Sequence, residues 1–428
     1  MKPFLKLRTT EEAWAEIAAT SALGAETISS RAALGRVLAE QVTAREDIPH
    51  FFRSNMDGFA VHAADTFAAS EQASVALRLA GEVTMGEEAT QQLTQGAAIR
   101  VSTGAMMPPG ADAVVIVEHT EERDGTVLVR HAVVPGQNTI AIAEDMRAGE
   151  VVLEAGHRMR GSDVGVATGV GRAEVTVHRI PRVGVAATGD EIVEPEDELP
   201  PGRVRNVNQY LLGSMAAATG AAVVDYGVVR DDEAALDNLF ARARKECDVL
   251  LLSGGSSKGS KDLVMSSILR VPGAEVRFHG IAIAPGKPTM FARIGEGPEL
   301  AVLGVPGNPA AAAVVFVLFG SVLVRLRAGE KLSRILATRP RVRARLAQDL
   351  VSTPGREDYV RVRLGDVAAT GGAPDGDCRD AGALPLATPL RGKSVAISTI
   401  ARADGLLRIP RSSEGLAAGS EVEVLLFG

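Results

Sequence analysis

The spacing of apolar positions changes period along the chain. Between Thr10 and Leu38, Trp14, Ile17, Ala18, Leu34, Val37 and Leu38 recur at helical spacing with breaks at Gly24 and Gly35, which predicts two short helices. From about 75 to 134 the apolar runs shorten (75–79, 113–117, 127–129) and lie between Gly and Pro turns, predicting a β-rich insert. The Gly- and Val-rich stretch 149–182 leads back to the body of the protein. From Val183 strand and helix alternate: strand 183–187, helix 209–219, strand 222–229, helix 233–247, strand 249–252, helix 262–269. The run Val249-Leu250-Leu251-Leu252 has no polar alternate, as expected for a strand buried on both faces of a mainly parallel sheet. After Gly329 short strands return at 359–364, 395–400, 406–409 and 421–426, predicting a small all-β terminal domain.

Composition narrows the function classes. A chain of 428 residues with 46% hydrophobic content can bury several cores, roughly two to four domains' worth. A formal charge of -7 without a sustained Lys/Arg run argues against nucleic acid or a membrane surface as partner. Cys247 and Cys378 suit neither a disulfide framework nor a zinc site, and the expectation is a reducing cytoplasm. The first residues lack the continuous apolar segment of a signal peptide. The most apolar run, 310–324, is shorter than a membrane span and is interrupted by Gly320 and Ser321, so it predicts a buried core helix.

Four turns follow or flank strand-like runs: Thr188-Gly189-Asp190-Glu191, Ser253-Gly254-Gly255, Pro285-Gly286-Lys287-Pro288 and Pro306-Gly307-Asn308-Pro309. Loops at the carboxyl ends of parallel strands converge, so these turns predict one crevice for an anionic ligand. The Ser253 loop, between a buried strand and a helix, suits phosphate or pterin; Gly259-Ser260-Lys261 is out of register for a Walker A loop. Asn308 fits a helix N-cap and Pro309 the first helical position, and coupled with the Lys287 turn one strand earlier they put helix-terminal N–H groups and a lysine near one crevice, as an oxyanion site requires. Glu191, Asp231 and Asp262 follow strand ends and could converge on Mg²⁺; helix capping accounts equally for Asp231 and Asp262. Asp57 and Asp145, far from that sheet in sequence, read by themselves as turn residues.

These motifs, in this order and with Ser54 to Ala60, Arg100 to Ala105, Pro109 to Val115, Glu144-Asp145, Gly355-Arg356-Glu357 and Ala403-Asp404-Gly405, resemble the molybdopterin molybdenumtransferase family, the MoeA proteins and gephyrin E domains, over essentially the whole chain. The resemblance implies a multidomain α/β homodimer with four domains per subunit. They are an extended linking domain (1–26, 44–54 and 145–181), a β-rich inserted domain (27–43 and 55–144), a three-layer α/β molybdopterin-binding domain (182–329) and a small C-terminal barrel-like β domain (330–428). It further implies that molybdate and adenylylated molybdopterin react with Mg²⁺ to give molybdenum cofactor and AMP. Thr188, Ser253, Gly254, Gly255 and Pro306, Gly307, Asn308, Pro309 would hold the pterin nucleotide. Glu191, Asp231 and Asp262 would place Mg²⁺, and Lys287, Arg356 and Ser394 would hold molybdate. Asp57, Thr103 and Asp145 would complete the cleft from the other subunit. Molybdopterin adenylyltransferase and molybdoenzyme maturation proteins are the implied handover partners.

The chain departs from the family pattern at charged positions. Ala284 precedes Pro285-Gly286-Lys287-Pro288 where the family often has Lys, a second family lysine falls on Gly280, an arginine on Ile140, and Ser256 stands where Val is usual. Fewer cations predict weaker molybdate binding, so two readings stand: an enzyme inserting molybdenum, and a paralogue that binds molybdopterin or a protein partner without efficient insertion.

Overall fold

The computed structural model describes residues 7–254, 260–295, 299–365, 384–390, 392 and 396–427, the side chains of 260–262 apart. Its centre is a six-stranded sheet of β1 (Arg182–Thr188), β2 (Ala222–Val229), β3 (Val249–Gly254), β4 (Ala274–His279), β5 (Met290–Ile294) and β6 (Leu300–Val305). The order is β2-β1-β3-β6-β5-β4, with the first four parallel, β5 antiparallel to β6, and β4 antiparallel to β5. Because side chains alternate along a strand, Val249 and Leu251 enter one core while Leu250 and Leu252 enter the other. The first core is covered by α1 (Asn208–Ala218) and by a long helix, α4 (Pro309–Arg327); the second by α2 (Glu233–Glu246) and α3 (Ser260–Arg270). This is the expected three-layer arrangement.

Local chemistry sets these helices. In α2, Leu236, Leu239, Phe240 and Ala243 are buried at helical spacing, and the Asp232 side chain caps the start by accepting from Ala235 N. The cap is thus Asp232, which leaves Asp231 available for other work. The helix α4 is 19 residues long and apolar enough to cross a membrane by length and composition, yet 78% of that window is buried inside the protein. It is a core helix, longer than its apolar run suggested.

The β-rich insert is a curled six-stranded sheet, Ala113–Ile116, Gly58–Val61, Ala97–Val101, Val75–Val83, Thr126–Val129 and Thr120–Arg123 in that order, with its own hydrophobic clusters on its two faces. The flanking segments pair Ala25–Ser29 with Glu174–His178 and Val42–Thr43 with Val151–Leu153. At the C-terminal end, Glu357–Gly365, Leu386–Pro389, Arg341–Leu346, Glu421–Leu426 and Gly405–Ile409 pair in that order, and the last strand pairs back to the first to close a five-stranded barrel.

Two expected elements are corrected. The second helix is reduced to one 3₁₀ turn, Ser30–Ala32: 25–29 is a strand, Leu34 is 66% exposed, Gly35 is left-handed, and Val37 and Leu38 bridge to Arg158 and Val177. Distant strand partners outweigh the local helical spacing. The expected strand at 395–400 is also absent from the described part of that segment, where Ser398–Arg402 is a short helix. The barrel closes through Gly405–Ile409 without it.

A buried carboxylate fastens the barrel to the N-terminal helix Thr10–Ala18. Glu357 accepts hydrogen bonds from Thr10 Oγ1 at 2.6 Å, Tyr359 Oη at 2.8 Å and Arg408 Nε at 2.9 Å. Burial opposes its charge, but these three donors outweigh burial and hold the carboxyl below the ordinary range. A depressed folded-state pKa gives stability that is present above the unfolded carboxyl's pKa and lost as pH falls through the folded value. Glu357→Gln is therefore expected to cost about 1–3 kcal/mol in denaturant unfolding at pH 7, with the gap to wild type narrowing in acid, where the wild-type group itself protonates.

Candidate functional site

Strand order brings the motif turns together. The carboxyl ends of β2, β1, β3 and β6 lie side by side, with Thr188 in register with Gly254 and Ser253 with Val305. Three interstrand gaps span roughly 14 Å, a bed long enough for an extended ligand. Gly254 has φ 120°, and a Cβ there would lie 2.1 Å from Thr188 O, so only glycine permits this approach. Ser253 and Thr188 are buried, and Thr188 Oγ1 has no hydrogen-bond partner among the described residues. Gly255, the rest of that loop, lies outside the described residues.

At the β1–β2 end, Asp231 meets the Thr188-Gly189-Asp190-Glu191 turn. The Asp231 main-chain N lies 3.5 Å from Asp190 Oδ1, and Asp231 Oδ1 is buried with no partner among the described residues. Burial, then the Asp190 and Glu191 carboxylates, push the Asp231 carboxyl above its ordinary range. A cavity of about 530 Å³ opens here, lined by Asp190, Asp231, Asp232, Arg203 and Arg230. Among the described residues no group of three His, Cys, Asp or Glu is arranged to hold a metal. The third expected ligand, Asp262, is in the first turn of α3, and its side chain lies outside the described residues.

The other end of the crevice is built by two domains. The segment Ile283–Ala284 leaves the α/β domain to pair in parallel with Glu357–Asp358 of the barrel, which sets Ala284 opposite Asp358. The turn that follows is tied tightly: Thr289 Oγ1 donates to Gly286 O at 2.6 Å, and Ile281 N to Lys287 O at 2.9 Å. Gly286 has φ 120°, with Ile283 and Val315 crowding the place of a Cβ. As a result Lys287, Arg356, Gly307 and Asn308 line one cavity of about 310 Å³. Lys287 is exposed there, and Arg356 is held by Asp358, its Nε 2.9 Å from Oδ1. Asn308 and Pro309 occupy the expected cap and first positions of α4, although no hydrogen bond from the Asn308 side chain caps the helix. Ser394 lies outside the described residues.

Asp57, Thr103 and Asp145 stand apart. Asp57 Oδ1 accepts from Thr103 N at 2.6 Å and from Thr103 Oγ1 at 3.0 Å, on the exposed rim of the insert. Asp145 is exposed, its N–H bonded to Ile48 O at 3.0 Å. Among the described residues, no hydrogen bond, ion pair or strand pairing joins 55–144 to 182–329.

Sequence reasoning missed Asn206 and Asn208. Both are buried, each with an orphan Oδ1, and Asn208 Nδ2 donates to Gly307 O at 2.8 Å, fixing the Pro306–Pro309 turn. Their signal was the polar cluster Arg205-Asn206-Val207-Asn208-Gln209 at the start of α1.

Comparison with known proteins agrees with this arrangement. Three family models match in order: "MoeA N-terminal region (domain I and II)" at 8–171, "Probable molybdopterin binding domain" at 184–325 and "MoeA C-terminal region (domain IV)" at 343–427. A molybdopterin molybdenumtransferase of Nostoc sp. is 34% identical over 71% of this chain and 70% of its own length. One of Staphylococcus aureus is 30% identical over 95% of this chain and 92% of its own. The crystal structure of a molybdopterin biosynthesis MoeA protein from Pyrococcus horikoshii superposes with a TM-score of 0.81 at 30% identity, over 99% of this chain and all of that one. The chain belongs to the molybdopterin molybdenumtransferase (MoeA) family.

Proposed function

We propose that this protein inserts molybdenum from molybdate into adenylylated molybdopterin, releasing AMP and forming molybdenum cofactor. The observation that carries this reading is the convergence of Lys287 and Arg356 on one cavity at the end of a crevice floored by Thr188, Ser253 and Gly254. The pterin nucleotide would lie along the strand ends. Its phosphates would meet the Ser253 turn and the N-terminus of α3, and its reactive end would face the Lys287 cavity. Lys287 supplies a point charge and Arg356 a planar donor fork, a suitable pair for a compact tetrahedral dianion. The protein's work is placement and charge neutralisation, not a covalent intermediate.

Mg²⁺ fits the acidic end. Asp231 offers a buried, unpartnered oxygen beside two further carboxylates, the setting a divalent cation neutralises. Mg²⁺ typically takes one or two carboxylates together with substrate phosphates, so Asp231 with Asp190 or Glu191 suffices, and Asp262 would add to them from the start of α3.

The separation of Asp57, Thr103 and Asp145 from the α/β domain supports a composite cleft in a homodimer, in which the insert of one subunit reaches the crevice of the other. Cytoplasmic insertion, with handover from molybdopterin adenylyltransferase and on to molybdoenzyme maturation proteins, belongs to the same proposal. The second reading, binding without efficient insertion, is favoured by one feature. Ala284, where a family lysine often stands, faces Asp358, so among the described residues the cavity keeps two cations, one of them already paired.

Three outcomes are expected. Lys287→Ala raises the molybdate concentration for half-maximal AMP release by roughly tenfold or more, whereas Ala284→Lys lowers it by about fivefold; neither changes pterin affinity. Silence of both variants would remove molybdate from this cavity and favour the non-inserting reading. Asp231→Asn shifts the Mg²⁺ dependence of AMP release to higher concentration with unfolding midpoint near wild type; a normal Mg²⁺ titration would dismiss Asp231 as a ligand. Verified heterodimers of Asp57→Ala and Asp262→Ala chains recover activity through one intact composite site, while no recovery would place both residues in the same subunit's site.

A further inference from the structure

A second built cavity lies at the opposite end of the α/β domain. It has a volume of about 560 Å³ and is lined by Ser21 to Gly24, Arg179, Glu275, Arg293, Glu299 and Arg327. Glu299 immediately precedes β6 and Arg327 ends α4, whereas the crevice is at the far ends of both elements. The length of α4 puts the two sites roughly 28 Å apart.

The charges are unbalanced once existing pairs are removed. Arg293 is paired with Glu299, and Glu275 with Arg277, which leaves Arg179 and Arg327 without an ion pair among the described residues. Arg327 is only 2% exposed. Its Nη1 donates to Ser21 O at 2.6 Å and its Nη2 to Glu299 O at 2.9 Å, but its Nε has no partner. Arg293 Nε is likewise buried and unpartnered. Burial disfavours the Arg327 charge, Glu299 and Asp248 favour it, and the nearby Arg179 and Arg293 add repulsion. Buried guanidinium donors left unmade are costly, and an oxyanion supplies what they lack: acceptors in the plane of the fork and a compensating charge. Neutral water supplies acceptors without the charge.

We infer that this cavity binds the phosphate or carboxylate group of a small anionic molecule, at a site separate from the crevice. Arg179 and Arg327 supply the charge that holds the anion. Glu299, a carboxylate 7% exposed whose Oε1 has no partner, accepts a hydroxyl or protonated oxygen of the same ligand. The volume is in the range of small-molecule sites and exceeds what a bare ion fills. Because Ser21 to Gly24 and Arg179 come from the segments flanking the sheet, while Glu299 and Arg327 belong to the α/β domain, a bound anion would join the two.

The test is calorimetric titration of the full chain with inorganic phosphate, and separately with glutarate, in chloride buffer at constant ionic strength. Wild type is expected to bind at least one, and the anion that binds identifies the group. Lys287→Ala, at the crevice, leaves that affinity within twofold. Arg179→Gln, an exposed position whose side chain makes no hydrogen bond among the described residues, weakens it roughly tenfold. Arg327→Gln abolishes it, but Arg327 also ties down Ser21 and Glu299, so Arg179→Gln decides. Failure of both anions to bind, or binding lost in Lys287→Ala and unchanged in Arg179→Gln, would overturn the site.

Discussion

The pairing of Ile283–Ala284 with Glu357–Asp358 is the constraint on which the site depends. Two residues of the α/β domain become an extra strand on the barrel, and that places the Lys287 turn within reach of Arg356. Neither domain makes this cavity alone. The same barrel strand carries Glu357, whose bonds to Thr10, Tyr359 and Arg408 fix the N-terminal helix against the barrel. A carboxylate taken out of water is costly unless its donors are complete, so this junction is all-or-none in character. Fold stability and site geometry therefore share one hydrogen-bonded centre.

The crevice has opposite charge at its two ends. At one, burial and the neighbouring Asp190 and Glu191 carboxylates disfavour the charge on Asp231, a setting that a cation would relieve. At the other, Lys287 and Arg356 demand an anion. Between them the ends of β1 and β3 approach so closely that Gly254 has no room for a side chain. A ligand with a metal-bound phosphate at one end and an oxyanion acceptor at the other matches this polarity along its length, and a ligand of uniform charge does not.

Much of this was legible in the sequence where the signal was local. The unbroken run 249–252 announced a doubly covered strand, and the boundaries of 222–229 and 421–426 are those expected, because hydrophobic period and turn residues agree there. What failed was set from a distance. Residues 25–29 read as part of a helical pattern but pair with Glu174–His178, nearly 150 residues away, and 395–400 read as a strand although the barrel closes without it. At the site, Asp231 could not be told from a helix cap until the structure showed Asp232 in that role. Asn208 stands in a visible polar cluster, but its role could not be read from it because its partner, Gly307 O, is supplied only by the fold. Lys287 and Arg356, 69 positions apart, could be linked by family likeness but by no local pattern.

The proposed function requires that cations from two domains act on one oxyanion. It is tested most directly by a double-mutant cycle of Lys287→Ala and Arg356→Ala, read as the molybdate concentration for half-maximal AMP release at saturating adenylylated molybdopterin. Two groups holding the same dianion should be non-additive, with a coupling of at least about 0.5 kcal/mol and pterin affinity unchanged. Strictly additive effects, or no effect of Arg356→Ala, would contradict the account.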